Sequence, residues 1–158
     1  MTMHLLAVGT RVPAWVQTGF EEYARRLPGP YRLLLTEITP ARWTKACDVE
    51  RLKREEGLRL LDAIPKQSFV VALDARGRMR TSEALATDLS AWLGFGKPLA
   101  FLVGGAEGLS DACLDGAQDI WSLSPLILPH ALVRVVLAEQ LYRAYSALTG
   151  QPYHRGNS

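Results

Sequence analysis

The sequence predicts an α/β protein: a mostly parallel sheet with helices on both faces. Three observations predict it. Short apolar runs of strand length alternate with longer runs of helical period. Gly and Pro punctuate nearly every boundary between them. The strand runs are apolar throughout rather than alternating, as strands buried on both faces are.

His4–Val8 reads as the first strand, closed by Gly9. Pro13 suits a first helical turn, after which Val16, Phe20, Tyr23, Ala24 and Leu27 share one face. Pro28, Gly29 and Pro30 stop that helix, and Tyr31–Ile38 is the second strand. Residues 41–47 form a loop carrying Arg42, Trp43 and Lys45. Asp48 caps a helix reaching about Ala63, with Leu52, Leu60 and Leu61 on its apolar stripe.

Ser68–Leu73 is a buried strand. Asp74–Arg80, with Arg76, Arg78 and Arg80 around Gly77, reads as a loop: a solvated one, or one that touches RNA phosphate. Thr81 or Ser82 caps the next helix, whose stripe is Leu85, Leu89, Trp92 and Leu93. Leu99–Val103 is a fully apolar strand, Gly104–Gly108 a turn, and Ser110 the start of a short helix. Ile120–Leu123 is the last strand. After the irregular Ser124–His130, a long helix spans Ala131–Thr149, with Leu132, Val135, Val136, Leu141, Tyr142, Tyr145 and Leu148 in register. Glu139 and Arg143 stand four apart on it, and Gly150 ends it.

The 158 residues fit one domain over residues 1–158, with no repeat or linker, and the core is large enough without disulfides or metal. A net charge of +2 permits nucleic-acid binding without demanding it. The two cysteines, Cys47 and Cys113, form no CxxC and have no His cluster beside them, so no metal site is expected. Both read as reduced thiols, Cys113 as a small buried residue rather than a nucleophile. Neither a signal peptide nor a membrane-length apolar run is evident, which places the expectation in the cytoplasm.

Ligands of open parallel sheets bind beyond the carboxyl ends of the strands. Three loops qualify: after Leu73, after Val103 and after Leu123. GGAEG at Gly104–Gly108 lets a ligand approach the backbone, or is simply a tight turn. It is neither GxGxxG nor a P-loop. The greasy Ser124–His130 reads as a buried connection or as an adenine clamp. PYHR at Pro152–Arg155 is a frayed tail, or a ring, an imidazole and a guanidinium set to stack a base, move a proton and hold an oxygen. His130 starts the last helix as a structural hydrogen bonder or a site residue, Glu107 sits inside the glycine turn, and His4 reads as structural.

These segments together resemble the RlmH family of bacterial ribosomal RNA methyltransferases, members of the SPOUT class. The resemblance runs through LLAVGTRVPAWVQTGFEEYARRLP (5–28), LDARGRMRTSEALA (73–86), FLVGGAEGLS (101–110) and WSLSPLILPHALVRVVLAEQLYRAYSALTGQPYHR (121–155). It implies a C-terminal trefoil knot, which chain topology alone would not suggest. It also implies S-adenosyl-L-methionine held by Leu73, Gly104, Gly105, Leu123, Ser124, Pro125, Leu126, Ile127 and Leu128. Homodimers, and methylation of N3 of pseudouridine 1915 in 23S rRNA on the assembled ribosome, are implied as well. The family's tail pattern falls on Tyr153, His154 and Arg155. Ala106 stands where the family commonly has proline, and Gly156–Ser158 run past the usual end.

Methyl transfer from a sulfonium needs orientation and a proton acceptor, not a metal. His154 and Glu107 are the candidate bases, Arg155 and Arg134 the candidates to stabilise charge on the ring carbonyls, and Tyr153 the group that positions the base. Two rival classes are a non-enzymatic ribosome-binding factor and a Rossmann-type nucleotide enzyme. The second lacks a GxGxxG after the first strand, which ends Val8-Gly9-Thr10.

Overall fold

The structure is a computed structural model and describes residues 2–42, 44, 46 and 48–155. Trp43, Lys45, Cys47 and Gly156–Ser158, noted in the sequence, lie outside the described residues. The strands are β1 (Met3–Val8), β2 (Leu33–Ile38), β3 (Phe69–Met79), β4 (Leu99–Val103) and β5 (Asp119–Ser122). The helices are α1 (Ala14–Ala24), α2 (Val49–Ala63), α3 (Ser82–Gly94), α4 (Asp111–Asp115) and α5 (His130–Thr149). The strands form one sheet in the order β2-β1-β4-β3-β5, with every pair parallel.

Successive residues of a strand face opposite sides, and the two cores follow from that. Met3, Leu5 and Ala7 of β1 face α1, α3 and α5, meeting Phe20, Leu89 and Leu141. Leu6 and Val8 face the other side, with Leu60 of α2 and Cys113 of α4. Burial pushes the Cys113 thiol up, away from nucleophilic reactivity.

The caps are where their residue types place them. Asp48 accepts from the Glu50 amide at 3.0 Å, Thr81 from Ala84 at 3.1 Å and Ser110 from Cys113 at 3.3 Å. Gly150 closes α5 with φ of 75°, a left-handed conformation that glycine adopts without strain. No helix among the described residues is long and apolar enough to cross a membrane.

Two elements differ from their sequence reading. Asp74–Arg80 is not a free loop, since β3 continues to Met79. Its ladder with β5 breaks after Leu73↔Trp121 and resumes at Arg78↔Trp121, so Asp74–Gly77 bulge out of it. Arg76 and Arg78 are exposed, but the Arg80 side chain is buried. It pairs with Asp88 at 2.7 Å and with Asp119, and its guanidinium lies 5.4 Å from the Trp92 ring centre. Burial with two carboxylates and an aromatic face fixes where the strand resumes.

The second difference is the buried stripe of α5. It is Arg134, Leu137, Ala138, Leu141, Ala144 and Tyr145. Leu132, Val136 and Leu148 are left at least partly exposed. Hydrophobic spacing alone could not find this register, because a buried arginine occupies one of its positions.

Candidate functional site

The bulge after β3, the glycine turn after β4 and the loop after β5 close around a cavity of about 610 Å³. Adjacent placement of these three strands brings the loops together. Of the residues expected to hold the cofactor, Leu73, Gly104, Gly105, Leu123, Ser124, Leu126, Ile127 and Leu128 all line it; Pro125 does not. Glu107 lines it too, exposed in the turn.

The turn is shaped by backbone crowding. A Cβ on Gly104 would lie 2.4 Å from the Gly108 carbonyl carbon. A Cβ on Gly105 would lie 3.1 Å from a carboxylate oxygen of Glu56, whose other oxygen accepts from the Ala41 amide at 3.0 Å. The glycine in the β3 bulge is crowded as well: a Cβ on Gly77 would sit 2.5 Å from the Ile120 backbone. Gly77 and Gly104 are therefore set by close passage of chain against chain, and Gly105 by the side chains of Glu56 and Val8. Gly108, with φ of 84°, adds the left-handed residue that closes the turn.

Beyond β5, the Ser124 hydroxyl accepts from the Leu126 amide at 2.9 Å, which turns the chain into the cavity wall. Leu126 and Ile127 are 72% and 95% exposed, so Ser124–His130 is not a buried connection. On the opposite rim, the Arg76 guanidinium beside Asp74 holds that carboxyl below its ordinary range.

The tail sits elsewhere. Pro152–Arg155 forms a 3-10 turn rather than fraying. The Ser146 hydroxyl accepts from the His154 amide and lies 3.2 Å from His154 Nδ1. Tyr153 donates to Glu139 at 3.1 Å and meets the Tyr142 ring edge-on at 4.7 Å. Burial, then the Glu139 carboxylate, pushes the Tyr153 phenol well above its ordinary range, so it stays a donor. His154 and Arg155 line a second cavity of about 440 Å³, with Ser82, Glu83, Gln140, Arg143 and Ala147. At 1.5 Å per helical residue, Ser146 lies about 24 Å along α5 from His130. Within one chain, the tail and the three loops do not meet.

Two arginines were read as charge stabilisers. Arg155 is exposed beside the second cavity. Arg134 is buried, bonded to Glu37 and to the Gly9 carbonyl, each at 2.7 Å. That geometry ties β1, β2 and α5 together. Arg134 is a strut, and sequence spacing gave no signal of it because its partner is 97 residues away. His130, Val133, Trp121 and Asp74 also line the first cavity. The sequence offers His130 as a site residue but not the other three, whose positions at strand ends or the start of α5 are the one signal that could have found them.

A sequence model described as "Predicted SPOUT methyltransferase" matches residues 1–154. The chain belongs to the SPOUT methyltransferase family. Relatives named ribosomal RNA large subunit methyltransferase H span nearly the whole chain. That of Thioalkalivibrio sulfidiphilus is 53% identical over 98% of this chain and 99% of its own length. That of Methylococcus capsulatus is 48% identical over 98% of this chain and 100% of its own. Among solved structures, a probable methylase family protein from Haemophilus influenzae aligns at a TM-score of 0.52 and 14% identity, covering 96% of this chain and 69% of that one. A chain from a structural study of 2-OH methylation on tRNA aligns at 0.55 and 21% identity, covering 95% and 98%. At such identities the two structures speak for the fold alone.

Proposed function

We propose that this SPOUT family member methylates ribosomal RNA of the large subunit. The reading extends to N3 of pseudouridine 1915 in 23S rRNA, with S-adenosyl-L-methionine as methyl donor and the assembled ribosome as substrate. The observation that carries it is the cavity of about 610 Å³ that three neighbouring strand ends build around Gly104, in a chain 53% identical to a large-subunit rRNA methyltransferase.

The residues fit such a donor. Leu126, Ile127 and Leu128 offer apolar cover for an adenine face, while the crowded Gly104–Gly105 backbone presents amides and carbonyls that no side chain screens. Asp74, Glu107 and Ser124 supply acceptors at the rim for ribose hydroxyls and an ammonium group. Bound there, the donor supplies an electrophilic methyl on a sulfonium. The knot expected from the resemblance belongs to this reading, as do a single domain over residues 1–158 and residence in the cytoplasm.

The separation of the two cavities supports a homodimer in which the tail serves its neighbour. In one chain Tyr153–Arg155 pack on Glu139 to Ser146, about 14–24 Å along α5 from His130. The partly exposed Leu132 and Val136 of α5 offer a face for pairing. In that dimer Tyr153 stays a protonated positioning group, Arg155 reaches toward the carbonyls of the target base, and His154 or Glu107 stands near its ring nitrogen. A non-enzymatic ribosome-binding role leaves the cavity unexplained.

The experiment is calorimetric titration with S-adenosyl-L-methionine, followed by methyl transfer to intact ribosomes and to free subunits. Donor binding in the micromolar range with ribosome-dependent methylation is expected. No heat of binding and no transfer would sink the proposal.

A further inference from the structure

His130 is the imidazole that the architecture places at the first cavity without giving it a task. It lines that cavity and is half-buried, and neither ring nitrogen has a hydrogen-bond partner among the described residues. Its Nε2 lies 3.9 Å from where a Cβ of Gly9 would stand. The ring thus rests against the loop leaving β1, next to the strand whose end carries the glycine turn.

That placement is held by a built device. Arg134 is one helical turn further along α5, so its side chain and that of His130 share a face. Its guanidinium is buried, grips Glu37 of β2 and the Gly9 carbonyl, and comes within 3.1 Å of a Gly9 Cβ position. Its Nε has no partner. Burying an arginine with one donor unsatisfied is costly, and such cost is tolerated where a group must be held. The β1 loop and the first turn of α5 cannot shift relative to each other without breaking this pair.

We propose that His130, aimed by the Arg134–Glu37 strut, is the catalytic proton acceptor for the ring nitrogen that is methylated. The inference rests on the proposed function and deepens it. The ring N–H gives its proton to the unprotonated imidazole nitrogen and its electron pair to the new N–CH₃ bond. The S–CH₃ pair of the donor stays on sulfur, so the sulfonium becomes a thioether and His130 an imidazolium. Arg134 and Glu37 act through His130 and are positioning residues. The other charged residues lining the same cavity are Glu107 from the glycine turn and Asp74 from the bulge after β3.

Single-turnover methylation of ribosomes tests this with His130→Ala, His130→Gln and Glu37→Gln, alongside calorimetric donor affinity and NMR of the imidazole signals. Both His130 variants are expected to lose ~100-fold in rate, with donor affinity within about threefold of wild type. The wild-type rate rises with pH along a limb that disappears in His130→Gln. Glu37→Gln keeps the limb, lowers the rate by about tenfold and moves the His130 ring signals. An active wild type with an unaffected His130→Ala, or an acid limb surviving in His130→Gln, overturns the inference alone. A wild type that binds no donor and methylates no ribosomal RNA overturns it together with the proposed function.

Discussion

The two cavities are built on different plans. The first is built from loops: three strand ends meet, its shape depends on chain passing chain at Gly77 and Gly104, and Leu126, Ile127 and Leu128 line it. The second is made of side chains, with Arg143, His154 and Arg155 gathered on one end of α5 and beside Ser82 and Glu83 of α3. A pocket shaped by close backbone and lined by apolar side chains suits a ligand with a flat apolar face. A pocket of arginine and histidine suits a flexible polyanion. In the proposed function the cofactor takes one end of α5 and the RNA the other, and a dimer of two copies brings the ends together.

The largest effect should come from Gly104→Val. No rotamer removes a contact of 2.4 Å with backbone. Donor affinity should fall at least ~100-fold, about 2.7 kcal/mol, by calorimetry; unchanged binding would break the assignment of the first cavity.

Next comes removal of residues 151–158. The first cavity contains none of them, so donor affinity should hold while ribosome methylation falls ~100-fold. Mixing this truncation with Gly104→Val should restore activity in the heterodimer if the tail acts on its neighbour. Lack of rescue would return the tail to its own chain.

Arg80→Met removes the cation that pins the resumption of β3 to α3 and β5. Asp119 loses its ion pair, and Asp88 keeps only the one with the exposed Arg78. A cost of about 3 kcal/mol follows, read as a Tm lower by roughly 6–12 °C. Weakened donor binding in the folded variant would show that the bulge after β3 is part of the first cavity's support.

Tyr153→Phe is the smallest change. Loss of the bond to Glu139 costs about 1 kcal/mol. The phenol's pKa is raised in the folded protein, so its contribution is complete below the unfolded value near ~10 and is lost as pH climbs above it. The wild type should therefore lose stability in alkali more steeply than the variant, as urea titrations at rising pH would show. Equal slopes would mean that Tyr153 is not held against Glu139.

The elements of the fold were legible because parallel strands buried on both faces read as apolar runs. Leu99–Val103 is the clearest, with all five residues buried. The loops of the first cavity were legible for a related reason, since strand ends announce them. What escaped were features made by charge at long range. Asp74–Arg80 has the composition of a loop, and only Asp88 and Asp119, eight and 39 residues from Arg80, turn part of it into strand. Arg134 looked like a free cation, because nothing near it in sequence announces Glu37. Three tail residues read as part of one site with Gly104 line a different cavity, packed on the second half of a 20-residue helix.

The order of the sheet has a consequence for the chain's making. Met3 of β1 pairs with Leu33 on one side and with Leu99 on the other. Parallel strands cannot be joined by tight hairpins, so every ladder waits for a crossover to close. During synthesis the first strand therefore keeps one edge bare until about a hundred residues have been made, and β5 and α5 must still take their places afterwards. Such a protein belongs among the slower folders of its size, and its apolar first strand is the segment that a chaperone has longest to find.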